Sequence, residues 1–418
     1  MKNKSKKIKI YAENLDNETM TQFYEAMKLD CNVQGALMPD SHAGYTLPIG
    51  AVIKSNGKIF PSYVGYDIGC GMCAIKTNIK AETLSKEDLI ALKEKVIKLI
   101  PTGKTRHLDA KKINVNEPAT KLVKNIFNNT GVYQLGTLGG GNHFIEVGKG
   151  EDDFVNIIIH SGSRNLGKQV AEFYMKEAAI QSIDEKRYID EFNSAPKNVK
   201  WMKSIQKGKS SIDTYNDACK EFVYRRTRAR FNTNIEGHYG LDINSEKGKE
   251  YIMDMNFALE YALANRKEMV QQVVNAMGDV LNIEIKTERF INRNHNHAEM
   301  KNGFVIHRKG ATHADKGMYG VIPGNMKDGS FIVIGKGCEA SMNSSSHGAG
   351  RVLSRRKAKD TLDLNTFHKS MEGIITNHTD GTLDEAPLAY KNIFEVMELQ
   401  EDLVEVVERV TPLLNIKG

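Results

Sequence analysis

Apolar positions along the chain follow two different spacings. Short unbroken apolar runs, Ala51–Ile53, Phe154–Ile159, Phe304–Ile306 and Phe331–Ile334, have the length and composition of buried strands. They lie in three blocks, 35–78, 131–167 and 303–354, each rich in glycine loops. Between the blocks the spacing changes to three and four, as on one face of a helix. Ser85-Lys-Glu-Asp88 reads as a capping box; Leu89, Leu92, Val96 and Leu99 then recur at helical spacing, and Pro101 ends the run. Residues 168–290 read as mostly helical and polar, with a long helix around Tyr251–Val274. A last helix is expected over about Lys391–Val410. The pattern predicts an α+β fold: one large core of mixed β-sheets flanked by helices, spanning 1–418, with a largely helical insertion at about 168–290. No internal repeat or low-complexity linker interrupts it.

Composition narrows the class. The chain has 418 residues, 40% hydrophobic and 26% charged, which is ordinary for a globular protein with a large core. A net charge of +6 permits a polyanionic partner without demanding one. Five cysteines, an odd and sparse count, argue against a disulfide framework and for a reducing compartment. The basic start, Met1-Lys-Asn-Lys-Ser-Lys-Lys7, has no apolar segment behind it, and no apolar run approaches ~18 residues. A cytoplasmic protein without a membrane span is expected.

Four of the twelve histidines stand where an apolar run meets a small-residue loop. His143 follows Gly139-Gly-Gly-Asn142; His160 ends the run Phe154–Ile159; His295 lies in Arg293-Asn-His-Asn-His297. His347 lies in Ser344-Ser-Ser-His-Gly-Ala-Gly350, followed by Arg351, Arg355 and Arg356. Strand ends are where side chains leave a sheet together and where backbone can approach a ligand. A single such histidine is more often a hydrogen-bonded core residue than a ligand; four in the same setting point to a site. Asp67 and Cys70, in Val64-Gly-Tyr-Asp-Ile-Gly-Cys-Gly-Met72, add a carboxylate and a thiol. With imidazoles they make a divalent-metal site, and a thiolate can bridge two ions. Cys73 completes a C-x-x-C, but no second pair exists for a structural zinc site, so it reads as packing.

Other short matches fail on context. Gly103-Lys104-Thr105 lacks the earlier glycine of a phosphate loop and follows a helix. His295-Asn296-His297 spells only three letters of a nuclease motif, and His378-Thr-Asp-Gly381 lacks the lysine of a nucleotidyl-transfer motif.

Taken in order, the motifs resemble the RtcB family of RNA-splicing ligases. The resemblance runs through Met38-Pro-Asp-Ser-His-Ala-Gly44, Asp67-Ile-Gly-Cys70, Gly139-Gly-Gly-Asn-His143 and His160-Ser-Gly-Ser-Arg164. It continues through Arg308-Lys-Gly-Ala-Thr312, Ile322-Pro-Gly-Asn-Met326, Ser346-His-Gly-Ala-Gly-Arg351 and Lys417-Gly418. It implies a ligase that joins RNA 3′-phosphate or 2′,3′-cyclic phosphate ends to 5′-hydroxyl ends, using GTP and two Mn²⁺ ions. It implies that His347 becomes guanylylated, that Asp67, Cys70 and His143 hold one ion, and that Cys70, His160 and His295 hold the other. Nucleotide contacts would come from Asn142, His143, Glu146, His295, Asn296, Pro323, Gly324, Asn325, Met326 and Ser330. His347, Gly348, Ala349, Gly350, Tyr390 and Lys417 would complete them, with Tyr390 flanking the base. Arg164, Arg351, Arg355 and Arg356 are candidates for RNA phosphate. RNA is the expected partner, and an activating protein is left open. Asn325 stands where serine is expected, and the interval from His160 to His295 is long for the shorter bacterial members. A metal-dependent phosphoesterase without nucleotidyl transfer, an RNA-end capping or repair paralogue, and a non-catalytic RNA-binding relative are the competing readings.

Residues 197–231 interleave Lys197, Lys200, Lys203, Lys207 and Lys209 with Trp201, then Arg225, Arg226, Arg228 and Arg230 with Tyr224 and Phe231. Such interleaving suits an RNA surface. It equally suits a solvated helix face, which is the commoner outcome.

Overall fold

A computed structural model describes residues 6–183, 185–230, 235–377 and 380–418. Phe231 and His378 of the motifs above lie outside the described residues, as does the basic start through Ser5. Among the described residues, nine strands of three or more residues precede the third glycine-rich block or lead it off: β1 (Lys7–Ile10), β2 (Asn32–His42), β3 (Ile49–Asn56), β4 (Gly71–Lys80), β5 (Phe144–Lys149), β6 (Phe154–Ser161), β7 (Thr287–Asn294), β8 (Asn296–Lys301) and β9 (Phe304–Lys309). Five more follow: β10 (Ala311–His313), β11 (Tyr319–Pro323), β12 (Ser330–Gly335), β13 (Ser344–Ser346) and β14 (Val404–Lys417). One sheet runs β1-β2-β3-β9-β8; the larger runs β11-β12-β14-β5-β6-β4-β7 and adds Ile375–Thr376 beside β14. A small ribbon pairs β10 with β13. All four apolar runs are strands, and each is buried because its sheet is covered on both faces.

The principal helices are α1 (Asn17–Lys28), α2 (Lys86–Leu99), α3 (Arg164–Gln181), α4 (Glu185–Ser194), α5 (Pro196–Gln206), α6 (Ile212–Arg230), α7 (Glu246–Leu281) and α8 (Ile393–Glu398). Ser85 and Asp88 form the full capping box of α2. Helix α7 is longer than its apolar spacing suggested. Met269, Val270, Val273 and Met277 from it share a core with Leu92 and Val96 of α2 and with Ile145, Ile157 and Ile159 of the larger sheet. By contrast α4, α5 and α6 close a small apolar cluster of their own around Tyr188, Phe192, Cys219 and Val223. No helix among the described residues is long and apolar enough to cross a membrane.

The expected helix over Lys391–Val410 is a correction. Only Ile393–Glu398 is helical, and from Val404 the chain is β14. Valines 404, 406, 407 and 410 favour an extended backbone, and β12 and β5 flank β14 on its two sides.

Candidate active site

Four neighbouring strands of the larger sheet, β5-β6-β4-β7, are antiparallel, so the start of one lies beside the end of the next. His143 immediately precedes β5, His160 closes β6, Cys70 precedes β4 and His295 follows β7. The register pairs Phe144 with His160, Met72 with His160 and Gly71 with Asn294. All four side chains therefore emerge at one edge. His295 is also where the chain passes from the larger sheet into β8 of the smaller one, and its amide N–H donates to the Cys70 carbonyl at 2.7 Å. Gly71 must be glycine: a Cβ there would lie 2.1 Å from the Arg293 carbonyl oxygen.

Cys70 Sγ lies 3.4 Å from His143 Nε2 and 3.2 Å from His160 Nε2. His160 Nε2 lies 3.4 Å from His295 Nε2, and Asp67 Oδ2 lies 3.0 Å from His143 Nε2. The other ring nitrogens fix the tautomers. His143 Nδ1 donates to the Leu138 carbonyl at 2.9 Å, and His160 Nδ1 donates to the Asn142 carbonyl at 3.1 Å. A carbonyl only accepts, so both Nε2 atoms of the neutral rings carry lone pairs aimed at the cluster. Burial and neighbouring imidazoles hold the His160 and His295 pKa values well below the ordinary histidine range, which keeps both rings neutral. Burial pushes the Cys70 thiol far up, and the Asp67 carboxylate adds to this. Converging lone pairs beside a buried thiol are what a divalent cation relieves, since it deprotonates the thiol and accepts each donor. Two triads fit, Asp67-Cys70-His143 and Cys70-His160-His295, sharing Cys70. Imidazole, thiolate and carboxylate suit several first-row ions.

A residue absent from the sequence reading supports this edge. Arg266 of α7 is fully buried and donates to the Gly69 carbonyl at 2.9 Å, the Ser161 carbonyl at 2.8 Å and the side chains of Asn292 and Asn294 at 2.7 Å each. One guanidinium thus ties together the ends of β4, β6 and β7. Its neighbour Asn265 accepts from the Gly136 and Thr137 amides and donates to the carbonyls of Thr137 and Gly162. The available signal was a polar Asn-Arg pair set into the apolar stripe of a long helix.

His347 follows β13, and its ring centroid is 4.6 Å from that of His295. Its Nδ1 donates to Asp40 Oδ2 at 2.6 Å, and its amide N–H donates to the same oxygen at 3.1 Å. The neutral ring therefore has its lone pair on Nε2. Burial opposes ionisation of Asp40, but the adjoining His347, its hydrogen bond, and the neighbouring His42 and Lys391 hold its carboxyl below the usual range. Lys391 Nζ brackets it by donating to the carbonyls of Pro39 at 3.1 Å and Ser41 at 2.8 Å. Asp40 belongs to the Met38–Gly44 motif, but nothing in the local sequence ties it to a histidine about 300 residues away. Gly350 has φ +76°, and a Cβ there would lie 2.2 Å from the Asp40 carbonyl oxygen, so this glycine admits the Asp40 backbone. The serines have structural partners: Ser344 Oγ accepts from Arg308 Nε at 2.8 Å, and Ser346 Oγ accepts from the Asp40 amide at 3.4 Å.

Two cavities meet at His347. One, of about 270 Å³, is lined by Asn142, Glu146, Pro323 to Met326, Gly348 to Gly350, Tyr390 and Lys417. Phe144, Asn415 and His42 also line it and were not foreseen. Ser330 lies behind it and donates to Glu146 at 3.1 Å, while Asn415 Nδ2 donates to the other Glu146 oxygen at 3.3 Å. Burial nevertheless raises Glu146 to about 7. Glu385, also unforeseen, is the hub of the cavity's charged wall. It receives Lys417 Nζ at 2.9 Å, the Tyr390 hydroxyl at 2.5 Å, Arg351 at 3.1 Å and Arg355 at 2.7 Å. Asn325 is spent on its own turn, accepting from the amides of Lys327 at 2.9 Å and Asp328 at 3.0 Å.

The second cavity, about 610 Å³, lies on the metal-cluster side and includes Asp67, Cys70, His295, Asn296 and Lys309. Asn296 spans its floor, donating to the Asp67 carbonyl at 3.1 Å and accepting from the Gly310 amide at 2.7 Å. Arg351 and Arg355 line both cavities. Arg164 is mostly buried and faces a third cavity beside Asp67 and His143. Arg356 is 93% exposed and lines none of these three cavities. His297 packs on His313, with ring centroids 4.8 Å apart, away from the cluster that His295 joins.

Fold and site together define a protein with a candidate two-ion centre and a carboxylate-anchored imidazole set between two cavities. A family model described as tRNA-splicing ligase RtcB matches residues 22–125 and 110–418. The RNA-splicing ligase RtcB of Escherichia coli (strain K12) is 33% identical over 410 residues, covering 92% of this chain and 90% of that protein. The tRNA-splicing ligase RtcB of Nanoarchaeum equitans is 29% identical, covering 91% of this chain and 87% of its own length. That of Archaeoglobus fulgidus is 27% identical, covering 90% and 84%. The chain belongs to the RtcB family.

Proposed function

We propose that the chain is an RNA ligase that joins 3′-phosphate or 2′,3′-cyclic phosphate ends to 5′-hydroxyl ends at the expense of GTP, in tRNA splicing or RNA repair. The observation that carries this reading is the Asp40–His347 pair, which holds Nδ1 on the carboxylate and leaves Nε2 free for the 270 Å³ cavity that His347 lines. In the first step Nε2 bonds to the α-phosphorus of GTP while the bond to pyrophosphate breaks. Asp40 keeps the proton on Nδ1 and offsets the positive charge that develops on the ring. An oxygen of the RNA 3′-phosphate then bonds to the same phosphorus, the N–P bond breaks, and neutral His347 is restored. The 5′-hydroxyl oxygen finally bonds to the RNA 3′-phosphorus, GMP leaves, and the hydroxyl proton passes to solvent. A cyclic end is first opened by water to a 3′-phosphate.

Asp67, Cys70, His143, His160 and His295 would hold two Mn²⁺ ions, which neutralise phosphate charge and polarise the reacting phosphoryl groups. Glu146, backed by Ser330, would surround the base together with Tyr390 and Lys417, and Arg351 and Arg355 would meet phosphate where the cavities join. The names of the relatives support the RNA substrate and the ligase class.

Incubation with α-labelled GTP and Mn²⁺, followed by a denaturing gel, tests the nucleophile. An acid-labile label on the parent and none on His347→Ala is expected; a label that survives the substitution rules the assignment out. Joining of 3′-hydroxyl and 5′-phosphate ends in preference to 3′-phosphate and 5′-hydroxyl ends would overturn the end chemistry.

A further inference from the structure

The ligase reading leaves the α4–α6 segment without a role. From Asn193 to Ile212 there is no acidic residue and there are five lysines. Lys197, Lys200 and Lys203 of α5, with Lys207 at its C-terminal cap, fall within about a third of the helix circumference at ~100° per residue. All four are exposed, as is Lys209. The opposite face, with Asn198, Trp201, Met202 and Ile205, is buried or half-buried. The neighbouring ion pairs, Lys168–Glu172, Arg225–Glu221 and Arg226–Glu191, leave these lysines out. This is a one-sided cationic stripe with no acidic partner among the described residues.

Its position relates it to the site. The segment leaves the core beyond Met175 of α3 and returns at Glu236, and both residues line the 610 Å³ cavity beside the metal cluster. The return is tied down by the Tyr66 hydroxyl, which donates to Glu236 at 2.5 Å. The stripe is therefore carried on an arm rooted at both ends in the cavity wall. From Met175, the rest of α3, the length of α4 and the length of α5 together amount to roughly 40 Å at ~1.5 Å per residue. That is about twelve nucleotides of a strand at ~3.4 Å each.

We propose that the lysine stripe of α5 is a backbone-tracking surface for the RNA strand leaving the larger cavity, so that it serves substrates longer than about twelve nucleotides and leaves much shorter ones unaffected. The occupant is RNA because the stripe is purely cationic and is carried on an arm whose two roots, Met175 and Glu236, line the cavity that would hold the substrate end. This inference rests on the ligase reading of that cavity.

The test uses the full chain and its quadruple variant K197Q/K200Q/K203Q/K207Q, since glutamine keeps helix propensity close to lysine. Binding of 3′-phosphate RNAs of about 4 and about 20 nucleotides is measured by fluorescence anisotropy across salt concentrations. Each lost contact to single-stranded phosphate lowers the slope of log affinity against log salt by about 0.7. For the longer RNA the slope should therefore fall by roughly two to three and the affinity by about ten-fold or more, with the shorter RNA unchanged. Labelling of the protein by GTP, which needs none of these lysines, should stay at the parent rate. An unchanged slope for the longer RNA, as expected of a solvated face or a protein-docking face, overturns the proposal. Equal losses for both lengths also overturn it, because the effect would then lie in the cavity. A parent that joins no ends fails the ligase reading instead, and the length-dependent binding comparison remains a separate readout.

Discussion

Replacing Asp40 by asparagine isolates what the carboxylate does for His347. The amide oxygen can take the place of Oδ2 and still accept from Nδ1 and the His347 amide, so the ring keeps its direction and tautomer. Two things change. The negative charge 2.6 Å from Nδ1 is lost, so in the proposed nucleotidylation the ring that would become cationic loses a charge-assisted hydrogen bond worth about 1.5–3 kcal/mol. The amide NH₂ group also takes the position of Oδ1, a fully buried atom without a hydrogen-bond partner among the described residues. That adds a folding cost of about 1–3 kcal/mol, separate from the kinetic one. The rate of label transfer from α-labelled GTP to the protein should therefore fall about 10- to 150-fold, with a lower melting temperature. Asp40→Ala should be slower still, since the Nδ1 proton is no longer held in place. The assay is single-turnover labelling at saturating GTP. A folded Asp40→Asn protein that labels within about threefold of the parent rate would refute the role given to this carboxylate.

Glu146, raised to about 7 in the folded chain from an ordinary value of 4.5, binds more protons folded than unfolded between those values. Stability should therefore fall as pH rises from about 4.5 through 7, by up to roughly 3 kcal/mol, and this part of the pH dependence should vanish in Glu146→Gln; superimposable pH profiles from denaturant unfolding would contradict it. Arg266→Leu removes the donors of two buried carbonyls and two half-buried asparagine side chains at the strand ends and should cost at least ~3 kcal/mol in denaturant unfolding. It should also lower the bound metal measured by mass spectrometry, and full metal content would show that the strand ends need no such tie.

The parts of this site that were legible in the sequence were those marked by their immediate neighbours. Cys70, His143, His160 and His295 each sit at the junction of an apolar run and a small-residue loop, and an antiparallel sheet brings such junctions to one edge. Asp40, Glu385 and Arg266 carry no such mark. Asp40 lies within β2, Glu385 lies in a short turn, and Arg266 lies mid-helix; each acquires its role from a partner distant in sequence. The helix read over Lys391–Val410 failed because its apolar residues satisfy both periods. Only the β-branched content from Val404 and the two flanking strands decide for β14.

The late position of β14 in the chain bears on biosynthesis. It fills the gap between β12 and β5, pairing Lys417 with Phe144, and it supplies both Asn415 and Lys417 to the smaller cavity. Until that segment has emerged from the ribosome, β12 and β5 each present a bare edge with unsatisfied amides and carbonyls, the kind of template on which strands from other chains add. A nascent or prematurely terminated chain would thus combine a largely formed cysteine–histidine cluster with two adhesive edges. Such intermediates are natural clients for chaperones, and nonsense products lacking β14 should be found in inclusion bodies rather than as soluble, partly active enzyme.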